Sequence, residues 1–153
     1  LHSLEKHGLE PDPALICRPI SIQKTYTYEN GYQRTVDLIQ SGTKFDAIFA
    51  IADSIAIGCL RALRDQGIRV PEDVAVIGFD GLEIGHYLTP ALSTLAQPVD
   101  EMAEASMHAL LGLLEEREKA VVAKLAGGSA EVKEKTAKFQ QIFPGELKIR
   151  ESC

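Results

Sequence analysis

Two acidic positions and two tyrosines are the groups in this sequence whose setting suits ligand contact. Asp80 closes the run Val74-Ala-Val-Ile77-Gly-Phe-Asp80, and Asp53-Ser54 follows the run Ala47-Ile-Phe-Ala-Ile51-Ala52. In an open parallel sheet, ligands bind beyond the carboxyl ends of the strands. A carboxylate there can accept hydrogen bonds from two neighbouring hydroxyls, and sugars present such pairs. Asp53 and Ser54 also open a helix, whose free N–H groups favour polar or anionic atoms. An Asp at that position is equally what a helix cap asks for, and Asp80 equally suits a turn. Tyr26 and Tyr28 sit in a polar loop before the preceding helix. An exposed ring can stack on a sugar or a base, or it can simply pack.

The elements that must position these groups follow from apolar spacing. Ala14-Leu-Ile-Cys17 reads as a strand. Glu29 to Gln40 has apolar residues at helical intervals and stops at Ser41-Gly42. Ala47 to Ile51 is continuously apolar, as a strand buried on both faces would be. Asp53 to about Gln66 is a second helix, ended by Gly67. Val74 to Ile77 is a second buried strand, and Leu92 to Ala96 a weaker one. Pro98 opens a long helix to about Glu116. Arg117 to Lys138 is rich in Lys, Glu, Ala and Gly and reads as a mobile loop, with transient helix on either side of its glycines. Phe139–Phe143 and Glu146–Arg150 read as terminal strands around Pro144-Gly145. The alternation of strand and helix predicts an α/β unit, a doubly wound parallel sheet covered by helices.

Composition excludes several classes. The 153 residues carry 16 Lys+Arg against 22 Asp+Glu, a net charge of −6, which does not suit a free-standing nucleic-acid binder. No apolar stretch reaches the length that crosses a bilayer, and no signal peptide is visible at the start. The cysteines Cys17, Cys59 and Cys153 form no CxxC pair, so a disulfide framework or zinc site is not expected and a reducing compartment fits better. Cys17 and Cys59 read as core residues. Nucleophile-elbow, phosphate-loop, zinc-helix and dinucleotide motifs are absent, and the four histidines have no partners at ligand spacing. No catalytic residue, metal or cofactor is expected. The opening Leu1 to His7, closed by Gly8, reads as the end of a helix. The chain is therefore expected to be the C-terminal piece of a longer polypeptide.

Three blocks resemble one family. They are Phe45-Asp-Ala-Ile-Phe-Ala-Ile-Ala-Asp-Ser-Ile-Ala-Ile-Gly58 with Cys59 to Gly67, Ile68-Arg-Val-Pro-Glu-Asp-Val-Ala-Val-Ile-Gly-Phe-Asp80, and Leu92-Ser-Thr-Leu-Ala-Gln-Pro98. With the ending Phe143 to Cys153, their order and spacing are similar to the LacI/GalR transcription regulators. The resemblance implies the C-terminal part of a periplasmic-binding-protein-like (type I) sensor, with an N-terminal helix-turn-helix and most of the other lobe outside the chain. It implies the C-terminal lobe over about 1–91, a crossover into the N-terminal lobe over about 92–117, an insertion over 118–138, and return and terminal strands over 139–153. Asp80 matches a family carboxylate that bonds the effector, and Tyr26 an aromatic position that stacks on it. Asp53 and Ser54 complete the implied ligand set. The family's usual Asn before Asp53 is Ala52 here, and the usual Asp after Asp80 is Gly81. Ile57, Arg61, Tyr87 and Leu88 match positions at the family's dimer interface.

The implied protein is a cytoplasmic homodimer that binds a sugar-like small molecule and reaches DNA only through the helix-turn-helix. It implies no membrane contact. Two other readings stand beside it: a periplasmic sugar-binding protein of a transporter, and an α/β enzyme using Asp53 or Asp80 as general base.

Overall fold

The structure, a computed structural model, describes residues 2–126 and 140–153. Two compact units divide it. One comprises 1–97 with 146–153, and the other 98–145.

The first unit holds the sheet. Strands β1 (Ala47–Phe49), β2 (Ala75–Asp80), β3 (Ser93–Ala96) and β4 (Glu146–Lys148) lie in that order. The first three are parallel, in register Ile48↔Val76 and Phe79↔Leu95, and β4 is antiparallel to β3. The expected parallel α/β sheet is thus present with an antiparallel edge strand. Helix α3 (Asp53–Asp65) crosses from β1 to β2 and packs on both, and α2 (Tyr28–Gln40) packs on α3. Glycines let those two helices touch backbone to backbone. A Cβ on Gly31 would collide with the Ile55 carbonyl, and one on Gly58 with that of Tyr28. The core between helix and sheet centres on Leu63, Val76 and Leu92, all fully buried, with Ala56, Leu60 and Val74. Each large side chain there contributes about 1.5–3 kcal/mol by leaving water, before ordering costs.

The chain end stitches this core shut. Ser152 is fully buried. Its Oγ donates to the Val76 carbonyl and accepts from Ser93 N–H, while its own carbonyl accepts from Val76 N–H at 2.7 Å. Val76 lies before the point where β2 meets β3, so the tail supplies the backbone partner that β3 does not.

Several expectations are corrected. Ala14–Cys17 is not a strand. Pro13–Leu15 forms a 3-10 turn capped by Asp12, and Cys17 is exposed. A strand has no hydrogen bonds within itself and needs a neighbour, and this segment has none among the described residues. Phe49 and Ile51 are 63% and 53% exposed rather than buried, because β1 is an edge strand. Residues 140–145 form no strand, and Phe139 lies outside the described residues.

In the second unit, α4 spans Val99–Leu125 and so runs beyond Glu116 into the stretch read as a loop. Ala, Lys, Glu and Leu are strong helix formers, and their propensity carries the helix until the glycines. The rest of the expected insertion, 127–138, lies outside the described residues. Leu110, Leu111, Leu113 and Leu114 of α4 are each about half exposed.

Candidate functional site

β1 and β2 run parallel, so their carboxyl ends share one rim, and both acidic positions lie on it. They do different things there. Asp53 is the first residue of α3 and is fully buried. The residue in capping position is Ala52, so the expectation that Asp53 caps its own helix is corrected. The carboxylate instead points away from the helix. Its Oδ2 accepts from the backbone N–H of Gly81 at 2.9 Å and of Leu82 at 2.7 Å, and its Oδ1 accepts from Thr94 Oγ at 2.7 Å. Gly78 on β2 makes room for it, since a Cβ there would collide with Oδ1. Asp53 therefore ties three elements together: the start of α3, the turn leaving β2, and β3.

That tie shapes the backbone at Asp80. Asp80 has φ 118°, and it is the one non-glycine residue with positive φ among those described. Such a conformation costs an L-residue of order 1–3 kcal/mol and persists only where the surroundings hold it. Here they do. Asp53 holds Gly81 N–H, Gln97 N–H donates to the Asp80 carbonyl at 3.2 Å, and Gln97 Nε2 donates to Asp80 Oδ1 at 2.8 Å. Gly81, with φ 83°, has a second reason to be glycine, because a Cβ would strike the Ala96 side chain. Asp80 is half-buried, with Oδ1 engaged by Gln97. A half-buried carboxylate held in a strained backbone at a strand end is suited to accept hydrogen bonds from a polar ligand.

Ser54 and Tyr26 meet beside this corner. Ser54 Oγ donates to the Tyr26 carbonyl at 2.9 Å. Tyr26 is 65% exposed, and Tyr28, the first residue of α2, is 56% exposed. The loop carrying Tyr26 is held by Asn30, a buried residue. Its Oδ1 accepts from Ile20 N–H and its Nδ2 donates to the Thr25 carbonyl. Thr94, Gln97, Gly78 and Asn30 escaped the residue-by-residue reading. Gly78 lies in the block 68–80, and Thr94 and Gln97 in the block 92–98; both blocks resemble the family, which is the available signal.

Of the four positions matched to a dimer interface, Ile57, Arg61 and Leu88 line one surface groove with Arg64, Val70 and Pro90. Arg61 is paired with Asp65 at 2.9 Å, and Arg64 donates to the Thr89 carbonyl. Tyr87 is 70% exposed, in edge contact with His86, and outside that groove. No cluster of three metal-ligating side chains occurs among the described residues. No described helix is long and apolar enough to cross a membrane.

Comparison with known proteins decides the family. The family model for the periplasmic binding protein-like domain matches residues 1–153. The chain belongs to that family, as it occurs in LacI-type regulators. The HTH-type transcriptional regulator AscG of Escherichia coli strain K12 is 36% identical over 113 residues, which is 74% of this chain and 32% of AscG. The HTH-type transcriptional repressor PurR of Salmonella paratyphi B is 37% identical over 90 residues, 59% of this chain and 26% of PurR. Among solved structures, a sugar-binding LacI-family regulator from Escherichia coli, complexed with phosphate, superposes with a TM-score of 0.73 at 32% identity. That match covers 99% of this chain and 46% of the other. The CelR–cellobiose complex gives a TM-score of 0.70 at 28% identity, covering 99% and 40%. The chain thus spans about a quarter to a third of the curated relatives it matches and less than half of the solved ones.

Proposed function

We propose that this domain is the effector-sensing part of a LacI-type transcription regulator, and that its effector is a sugar or a related polyhydroxylated metabolite. The observation that carries this is the Asp80 corner: a carboxylate at the end of β2, in a strained backbone, beside Ser54 and the exposed Tyr26 ring. The carboxylate accepts hydroxyl hydrogens, the ring stacks on the apolar face of a pyranose or furanose, and the start of α3 favours polar atoms. Asp53 serves as the pin behind the wall. The opposite wall belongs to the rest of the regulator, as do the helix-turn-helix and its DNA contacts. Relatives named as transcription regulators favour this reading over a transporter's binding protein. They also favour it over an enzyme, and a cytoplasmic location follows from the same reading.

Ligand binding would bias the equilibrium between two lobe arrangements by its differential affinity for them. A homodimer joined along the groove of Ile57, Arg61 and Leu88, with Tyr87 at its margin, would pass that change to the DNA-binding helices. The test is a thermal-shift panel on the full-length regulator with ribose, lactose, cellobiose and nucleobases. A true effector raises the melting temperature in a concentration-dependent way, and Asp80→Asn abolishes the rise. A panel in which Asp80→Asn responds to every compound as the parent does would remove Asp80 from the site.

A further inference from the structure

We propose that Gln97 is the positioning residue of Asp80: it fixes which carboxylate oxygen is offered to the effector and leaves that carboxylate its full charge. The proposal rests on the effector reading of the Asp80 corner and adds a residue to it. Gln97 directly follows β3. The ladder between β2 and β3 pairs Asp80 with Ala96, and it continues for one more bond, from Gln97 N–H to the Asp80 carbonyl at 3.2 Å. Pro98 comes next and has no N–H to give, so the ladder stops at Gln97. The backbone alone therefore sets Gln97 beside Asp80.

The side chain then makes a second bond to the same residue, from Nε2 to Asp80 Oδ1 at 2.8 Å. Both residues are half-buried. A carboxylate has two oxygens and about four lone-pair positions. Gln97 fills one on Oδ1, and Oδ2 carries no hydrogen bond from the described residues. The chemistry of the donor matters as much as its place. A lysine or arginine there would also bond, but it would offset the negative charge that strengthens a hydrogen bond from a ligand hydroxyl. An amide donates and leaves the charge intact. No ion pair among the described residues involves Asp80. Orienting the carboxylate before the effector arrives also removes an ordering cost from binding.

An isosteric change turns this into a chemical test. Gln97→Glu keeps the side-chain length and replaces the amide by a carboxyl. Ionised, that carboxyl meets Asp80 as a like charge. With one proton shared between the two, its O–H donates to Oδ1 as the amide does. Two carboxyls in contact hold a shared proton to higher pH than either alone. The other charged groups on the elements packed here are Asp53 at the start of α3, held by the Gly81 and Leu82 amides, and Glu146 and Lys148 on β4, which pair with each other at 3.7 Å.

The experiment is calorimetric titration of the full-length regulator with ribose, lactose and cellobiose at about pH 8 and about pH 5, each variant compared with the parent at the same pH. The sugar that binds the parent is expected to bind Gln97→Glu at least about tenfold more weakly at the higher pH and within about threefold of the parent at the lower one. Gln97→Met, of the same length with no donor, should be weaker by at least about tenfold at both. Parent affinity of Gln97→Glu at the higher pH, or an equal deficit at both, overturns the proposal. If Gln97→Glu does not melt cooperatively, Gln97→Met decides, and parent affinity there overturns it. Asp80→Asn separates this outcome from the effector reading. A parent that binds none of the three sugars, or a sugar that binds Asp80→Asn as it binds the parent, removes the effector reading and this proposal with it. Loss of binding in Asp80→Asn with parent affinity in both Gln97 variants removes only the role of Gln97.

Discussion

The carboxylate of Asp53 and the hydroxyl of Thr94 meet at 2.7 Å, both fully buried, although one begins a helix and the other lies on a strand 41 residues away. Among the described residues no cation pairs with Asp53. Its charge is held by two backbone amides and one hydroxyl, as buried charges require. The contact places the Asp80 corner, so the site depends on a residue that need not touch ligand.

Removing that pin leaves donors stranded. Asp53→Ala orphans the Leu82 amide and the Thr94 hydroxyl proton and leaves Gly81 N–H only its 3.2 Å bond to Thr94 Oγ, with a cost of about 2–4 kcal/mol. Asp53→Asn keeps one acceptor oxygen for the two amides and should cost about 1–2 kcal/mol. Urea denaturation of the three proteins measures both. Equal stability of the alanine variant and the parent would rule out the pinning role.

Under the proposed function, Asp80 trades backbone strain for a ligand contact. Asp80→Gly relieves a φ of 118° that an L-residue tolerates poorly, but it loses the Gln97 bond and adds freedom to the unfolded chain. The variant is expected to melt at or slightly above the parent temperature while losing effector binding at least tenfold. Calorimetric melting paired with ligand titration checks this. Unchanged effector affinity in the variant would remove Asp80 from the proposed binding site.

Thiol chemistry separates the cysteines by burial. Burial pushes the Cys59 thiol up to about 11, against a smaller opposing hydrogen bond to Thr35. The thiolate is the nucleophile, so at pH 8 roughly one Cys59 in a thousand is reactive, even before access is considered. Cys153 is exposed. Burial also raises Cys17, with Arg34 opposing. Iodoacetamide at pH 8 should label Cys153 first, Cys17 more slowly, and Cys59 only on unfolding. Native-state labelling of Cys59 at the Cys153 rate would place α3 differently.

The turn before β2 predicts a pH effect. Hydrogen bonds from the Arg69 side chain and backbone hold the Asp73 carboxyl at about 2, below its ordinary 3.8. A carboxyl lowered on folding adds stability that is fully present above the unfolded value and lost as pH falls through the folded one. The pair is exposed, so its contribution is small and screened by salt. Asp73→Asn should be less stable than the parent at pH 6 in low salt, and the two should converge as pH falls from about 4 towards 2. A difference that persists unchanged at pH 2 would assign the effect to something other than ionisation.

Local order alone determined much of this protein. The apolar periods of α2 and α3, the runs at β1 and β2, and the acidic residues after them are properties of short segments, and the structure holds them where the spacing puts them. Pairing was a different matter. Ala14–Cys17 has strand composition but no ladder partner, and β1 has core composition but lies at an edge, because a strand is completed only by its neighbours. The fate of Asp53 shows the same limit. Within its segment it looks like a helix cap, and only the approach of Gly81 and Thr94, far along the chain, makes it the buried anchor of the corner. Short-range chemistry specifies which elements form, while the partners of each strand edge and buried charge exist only once distant segments meet.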